Sequence, residues 1–265
     1  MPELPEVESV RRQVEPLVAG RRIIEADSHP SVKFLPAREV AGAEIGSVGR
    51  RGKYLLFLLD EERELVVHLG MTGVLRPGRD ESDPFVRAWW EFDDGTSLEF
   101  RDVRRFGRIR VVPAHDYSTI PTLHALGPEP LGDNFDPASF HAAVGRSNRH
   151  VKTQLLSQRP VAGVGNIYAD EALWRARVDP RSRRLTRPQA DRVHAAIRAV
   201  LAEAIEHGGT TLRDYRTPDG EAGTNQHRLD CYGRAGEPCP RCGTTLRRVV
   251  VDQRGTTFCP SCQRR

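Results

Sequence analysis

The first six residues, Met1-Pro2-Glu3-Leu4-Pro5-Glu6, place a nucleophile beside an acid. A methionine followed by a small proline is a good substrate for removal of the initiator. Removal leaves Pro2 with a free secondary amine, titrating near ~7.7–8.0 against ~10.4 for a lysine side chain. Much of that amine is then unprotonated at neutral pH. Its attack on a sugar carbon yields an iminium, a permanently charged electron sink, and Glu3 is placed to give or take the accompanying proton. Pro2 and Pro5 equally suit the first turn of a helix, and the hexapeptide alone does not choose between the two readings.

Two further constellations carry chemistry. All five cysteines lie between 231 and 262, and four of them read Cys239-x2-Cys242-x16-Cys259-x2-Cys262. This is the spacing of a zinc ribbon. A pair of disulfides is the alternative, disfavoured where no export signal is seen. Four thiolates close the metal's shell, so one structural zinc is expected, with Cys231 left over. The run Pro160-Val161-Ala162-Gly163-Val164-Gly165-Asn166-Ile167-Tyr168 places two glycines and an asparagine before a helix. Backbone N–H groups at such a positive helix end grip phosphate; an ordinary helix-to-helix turn has the same composition.

The elements that must position these groups are legible as patterns. Val7, Val10, Val14, Leu17 and Val18 recur at helical spacing, and Gly20 closes that helix. From residue 22 to about 112 the pattern is β, with strands at Tyr54 to Leu59 and Leu65 to Leu69 and a hairpin turning on Asp93-Asp94-Gly95. Such short strands suggest a sandwich or barrel. Leu126-Gly127-Pro128-Glu129-Pro130-Leu131 is a stiff linker, and helices follow it. Asp136-Pro137 starts one. Thr186-x-x-Gln189 is a capping box for another that runs to about His207 and stops at Gly208. Residues 213–230 read as a polar, mobile loop.

Composition bounds the function. The chain has 265 residues, enough for one large domain or two modest ones. No apolar run approaches the roughly 20 residues of a membrane span, and no leader is seen, so a cytoplasmic protein is expected. The net charge is +4, and 37 of the 40 basic residues are arginines, Lys33, Lys53 and Lys152 being the only lysines. Residues 231–265 carry seven arginines against two acids, a basic patch suited to a polyanion.

Taken in order, Pro2-Glu3-Leu4-Pro5-Glu6, the Gly163 to Tyr168 turn and the four-cysteine ribbon resemble the formamidopyrimidine-DNA glycosylase/endonuclease VIII family, its formamidopyrimidine branch above all. Further matches are Arg51-Gly52-Lys53-Tyr54-Leu55-Leu56, His68-Leu69-Gly70-Met71, Arg104-Arg105-Phe106-Gly107, Gly208-Gly209-Thr210-Thr211-Leu212 and Tyr232-Gly233-Arg234. The resemblance spans the whole chain. It implies an α+β multidomain fold: a β-sandwich with a leading helix over 1–125, a helix–two-turn–helix domain over 132–222 and a zinc finger over 229–265. It implies base-excision repair of oxidised purines in double-stranded DNA. The enzyme would be a monomer associated with the nucleoid, and DNA would run across an interdomain cleft with the damaged nucleotide flipped out.

Carried over by position, Pro2 is the nucleophile at C1′ and Glu3 the general acid. Lys53 contacts the phosphate beside the lesion, and Asn166 and Arg254 grip the same backbone. Lys152 adds a phosphate contact, and His68 lies on the DNA-binding surface. Met71, Arg104 and Phe106 fill the hole left by the flipped base. One run departs from the family: Gly223-Thr224-Asn225-Gln226-His227 lacks the aromatic of the loop that covers the flipped base. That puts lesion preference in question. The alternatives are the same chemistry on oxidised pyrimidines, or lesion binding without cutting.

Overall fold

The computed structural model describes residues 1–213 and 215–264. Asp214 of the expected loop and Arg265 of the expected zinc finger lie outside the described residues. Two compact units result. The first comprises residues 1–124 and 207–226, the second 125–206 and 227–265.

The first unit begins with helix α1 (Leu4–Val18), whose Val7, Val10, Val14 and Val18 form one buried stripe, while Leu17, expected in that stripe, lies off it and is 36% exposed. Gly20, at φ +77°, turns the chain into the first strand. Eight strands follow: β1 (Arg21–Ser28), β2 (Glu44–Arg51), β3 (Tyr54–Leu59), β4 (Arg63–His68), β5 (Gly73–Pro77), β6 (Val86–Phe92), β7 (Ser97–Asp102) and β8 (Arg108–Pro113). Their order is β5-β7-β6-β1-β2-β3-β4-β8, and the recorded ladders are antiparallel.

Strand β1 joins the two halves: Arg21 and Arg22 pair with β2, and Ile23 to Ser28 pair with β6. The halves share one core, which holds Val7 and Val10 of α1, Phe57 and Leu65 of one half and Trp90 and Phe100 of the other. This is the β-sandwich with a leading helix that the sequence implies. The β6–β7 hairpin turns where expected: Gly95 takes φ +80° and Asp94 accepts a hydrogen bond from Thr96 N at 3.0 Å.

A charged network fastens α1 to the sheet. Arg11 and Arg12 bond the Glu8 carboxylate from the helix, and Arg50 reaches it from β2 at 3.1 Å. Burial alone would raise the Glu8 pKa, but these guanidiniums hold it at about 2. Arg50 also donates to Gly52 O at 3.0 Å, so one side chain ties the helix to the turn that carries Lys53.

After the short helix α2 (Pro121–His124), the second unit holds α3 (Pro137–Gly145), α4 (Val151–Leu156), α5 (Asn166–Arg175), α6 (Arg187–Glu206) and a hairpin of β9 (Arg247–Val251) and β10 (Arg254–Phe258). Asp136 caps α3 by accepting from Ala138 N and Ser139 N. The Thr186–Gln189 box forms, with Thr186 N donating to Gln189 Oε1 at 2.9 Å. Buried Phe140, Tyr168, Leu173, Val193, Ile197 and Leu201 make the helical core. Among the described residues no helix is long and apolar enough to cross a membrane.

Candidate active site

In the first unit Pro2 is buried and Met1 is 56% exposed. The Pro2 nitrogen here lies in the Met1–Pro2 peptide and becomes an amine only when Met1 is removed. Glu3, 3% exposed, is the N-cap of α1. Glu6 holds this segment. Its Oε2 accepts Glu3 N at 2.7 Å and its Oε1 accepts Thr210 N at 2.7 Å. A Cβ on Gly209 would lie 2.8 Å from Glu6 Oε1, so only glycine allows that approach. Tyr215 adds a bond from its hydroxyl to Glu6 O at 3.3 Å.

Lys53 follows Gly52 (φ +55°) in the β2–β3 turn and is only 7% exposed. His68 sits opposite Tyr54 in the adjoining ladder, their rings 4.7 Å apart. Burial above all, then the charges of Lys53 and Arg108, push His68 down to about 4. It is therefore neutral at pH 7, and its Nδ1 accepts from Gly70 N at 3.2 Å. Beyond His68 the wedge candidates come together. Gly70 lies against Phe106 and Gly107, where a Cβ would meet backbone at 2.5 Å. Met71 and Phe106 are 37% and 47% exposed, and the Arg104 guanidinium lies 4.9 Å from the Phe106 ring centroid.

In the second unit the ligand sulfurs of Cys239, Cys242, Cys259 and Cys262 all lie within 4.8 Å of one another. Tetrahedral thiolates around zinc stand ~3.8 Å apart, and the Cys242–Cys259 separation of 3.5 Å is close to that. The four fit one structural zinc. The β9–β10 hairpin turns on Asp252 and Gln253, both left-handed at φ 44° and 66°, and places exposed Arg254 first on β10. Its tip is held to α4, where His150 Nδ1 lies 3.2 Å from Asp252 Oδ2 and Thr153 bonds the same oxygen. Asn166 opens α5 and donates to Gly255 O at 3.1 Å.

Lys152, which the resemblance implies as a phosphate contact, lies in the interior of the second unit. It is wholly buried (0% exposed) and ion-paired with Asp170 at 2.6 Å. Its ammonium also donates to Gly255 O at 3.1 Å and Thr256 Oγ1 at 2.9 Å. These bonds tie Lys152 to the hairpin that carries Arg254.

Sequence reasoning also missed the acids that organise these segments. Asp170, raised to about 6 by burial against the pull of Lys152, accepts Thr257 N at 2.9 Å. Glu171, likewise raised by burial, accepts Asp230 N, Cys231 N and Tyr232 N. Glu6, Asp170 and Glu171 each sit inside a quoted family run or shortly after one, and that adjacency was the signal available.

Three models match the chain in order. Residues 1–109 match the formamidopyrimidine-DNA glycosylase N-terminal domain, 126–216 the formamidopyrimidine-DNA glycosylase H2TH domain, and 236–265 the zinc finger found in FPG and IleRS. A β-sandwich, a helical domain and a zinc hairpin in this order define a zinc-finger DNA glycosylase architecture. The formamidopyrimidine-DNA glycosylase of Deinococcus radiodurans is 47% identical, covering 99% of this chain and 97% of its own. The crystal structure of MutM (Fpg) from Thermus thermophilus superposes with a TM-score of 0.92 at 49% identity over 99% of this chain and 98% of its own. A Lactococcus lactis FPG mutant, solved in complex with a Fapy-dG containing DNA, gives 0.91 at 34% identity, with 100% of both chains covered. The chain belongs to the formamidopyrimidine-DNA glycosylase family.

The buried histidine makes stability depend on pH. An unfolded histidine titrates near ~6.5, above the folded His68. Between those values the unfolded state binds the proton, so stability falls as pH drops from about 6.5 to 4, by up to about 1.4 kcal/mol per unit. Urea titrations at several pH values should show a shallower slope for His68→Gln; parallel slopes would remove His68 as the source. For the buried ion pair, Lys152→Met leaves the Asp170 carboxylate without its counter-charge and should cost about 3–5 kcal/mol, part of it recovered in Lys152→Met/Asp170→Asn, which removes the charge and keeps an acceptor for Thr257 N. Chemical denaturation of both variants measures this, and a single variant as stable as wild type refutes the assignment.

Proposed function

We propose that this chain is a bifunctional base-excision-repair enzyme that removes oxidised purines from double-stranded DNA and then cleaves the strand. The observation that carries the reading is the placement of Pro2 and Glu3 at the buried, Glu6-clamped start of α1. A terminal amine that must meet one sugar carbon needs such fixing, because reactive geometry is lost over about 1 Å. DNA complexes of the Lactococcus relative, one with Fapy-dG and one with an abasic site, support the same substrate class here.

The Pro2 amine displaces the damaged base at C1′. Glu3 protonates the sugar ring oxygen, the ring opens, and an iminium links C1′ to Pro2. The cation acidifies the C2′ proton, whose loss expels the 3′ phosphate. A second elimination releases the sugar from the 5′ side and leaves a gap flanked by phosphates. Lys53, Asn166 and Arg254 hold the phosphates next to the lesion. Neutral His68 packs beside Lys53 and takes no proton at pH 7. Met71, Arg104 and Phe106 occupy the space of the flipped base, where apolar groups replace lost stacking and Arg104 meets the orphaned base edge.

Lys152 acts through the hairpin and not on DNA. Zinc is structural: its four thiolates leave no site for water, and it folds the hairpin that presents Arg254. The working domain limits are 1–125, 132–222 and 229–265, with residues 207–222 of the second segment folding back into the first compact unit, and the enzyme acts at chromosomal DNA in the cytoplasm.

Borohydride trapping tests the nucleophile. With an 8-oxoguanine:cytosine duplex, reduction should give a covalent adduct that mass spectrometry maps to Pro2 in protein lacking Met1. An abasic duplex that traps while the 8-oxoguanine duplex does not would move the substrate toward oxidised pyrimidines, and no adduct with either would leave lesion binding alone. Glu3→Gln should bind lesion DNA with wild-type affinity yet excise the base at least about 100-fold more slowly. A near-wild-type single-turnover rate would take Glu3 out of the mechanism.

A further inference from the structure

We propose that Asp102 is a positioning residue that locks the two loops bearing Met71, Arg104 and Phe106 into a single rigid wedge. The inference rests on the wedge reading above. It comes from one fully buried carboxylate and the groups it joins.

Asp102 ends β7 and is 0% exposed. Its Oδ1 accepts the Thr72 hydroxyl at 2.6 Å, and its Oδ2 accepts Gly107 N at 2.7 Å. The Thr72 hydroxyl in turn accepts Arg104 N at 3.1 Å. The chain of bonds therefore runs from Arg104 through Thr72 and Asp102 to Gly107. It crosses between the loop after β4, which carries Met71, and the loop before β8, which carries Arg104 and Phe106. Asp102's own carbonyl accepts Arg87 Nε at 2.8 Å, so the backbone that bears the carboxylate is anchored to β6.

The surroundings agree. A Cβ on Gly70 would meet Gly107 N at 2.5 Å, and one on Gly107 would meet the Phe100 ring at 2.5 Å, so the two loops lie backbone against backbone. Arg105 adopts φ +54°, left-handed for a non-glycine residue, with its carbonyl held by Lys33 Nζ at 2.8 Å. The loop is thus pinned on either side of the residues that project into solvent. Asparagine weakens the lock: its oxygen still accepts Gly107 N, but its amide must donate to the Thr72 oxygen that already accepts Arg104 N, which leaves the Thr72 proton without its acceptor. A wedge that must replace stacked bases at the moment of flipping works only if its parts move as one body.

The test compares Thr72→Val, Thr72→Ser and Asp102→Asn with the wedge double variant Met71→Ala/Phe106→Ala. Two reactions are followed, 8-oxoguanine excision from a duplex and strand cleavage at an abasic site in a single-stranded oligonucleotide. The second has no partner base and needs no wedge. Thr72→Val and Asp102→Asn should lower duplex kcat about 10- to 100-fold with KM little changed, and leave single-stranded cleavage at the wild-type rate. Thr72→Ser, which keeps the hydroxyl, should restore duplex excision. Duplex excision at the wild-type rate in Thr72→Val and Asp102→Asn, with the wedge variant impaired, overturns the role of Asp102 and leaves the wedge standing. A wedge variant as active as wild type overturns the wedge reading itself. Equal loss in both reactions marks general destabilisation and also overturns the proposal.

Discussion

One carboxylate fixes the start of the chain. Glu6 accepts the backbone N–H of Glu3 with one oxygen and that of Thr210 with the other. Chain termini usually fray unless something ties them down. Here the tie is a buried charge, which is tolerable only when it is well hydrogen-bonded. The clamp sets the rest of the first unit. Gly209 must be glycine to let Glu6 approach, α1 takes its direction from the clamp, and Arg50 carries that direction on to the Lys53 turn. The Pro2–Glu3 pair is thus placed by packing and not by chance contact of a tail.

The same device recurs at each functional segment. Asp102 joins the loops that carry Met71 and Phe106, Asp170 takes Thr257 N in the zinc hairpin, and Glu171 takes three successive N–H groups on the way into the zinc ribbon. Each is almost fully removed from solvent. A carboxylate can accept from two or more backbone donors at once, and no neutral side chain does so with comparable strength. Irregular segments have no ladder to satisfy their N–H groups, so a buried acid gives them a defined geometry. Lys152 is the counterpart with opposite sign. Together with Asn166 it saturates the Gly255 carbonyl, while Asp170 balances its charge.

This pattern explains what the sequence revealed and what it hid. The α1 stripe, the Asp93-Asp94-Gly95 hairpin, the Thr186–Gln189 box and the cysteine ribbon are local signals, written within a few residues or at fixed spacing, and the structure forms each of them. Buried acids carry no such signal. Asp102, Asp170 and Glu171 look like ordinary solvated charges until their partners, many residues distant in the chain, are known. The resemblance implies Lys152 as a phosphate contact by position alone; only the fold brings Asp170 to it. Residues 213–230 read as mobile because they are polar, yet within 207–226 the chain returns to the first unit through long-range bonds to Glu6.

That return gives meaning to the departure at Gly223 to His227. Where the family commonly places an aromatic, this chain has polar residues, and they bond inward. Asn225 Nδ2 donates to Thr210 Oγ1 at 2.8 Å, Gln226 Oε1 accepts Thr211 N at 3.0 Å, and Gly223 N donates to Thr211 Oγ1 at 3.0 Å. A Cβ on Gly223 would fall 2.2 Å from Gly209 O, so the two glycine segments interlock. The run buttresses Gly209 to Thr211, which in turn engages Glu6 and the start of α1. The amide of Asn225, the amide oxygen of Gln226 and the Thr210 and Thr211 hydroxyls are committed to bonds within this segment and brace the start of α1. The departure at Gly223 to His227 is therefore a packing feature: its polar groups point back into the chain and fix the segment that holds Glu6.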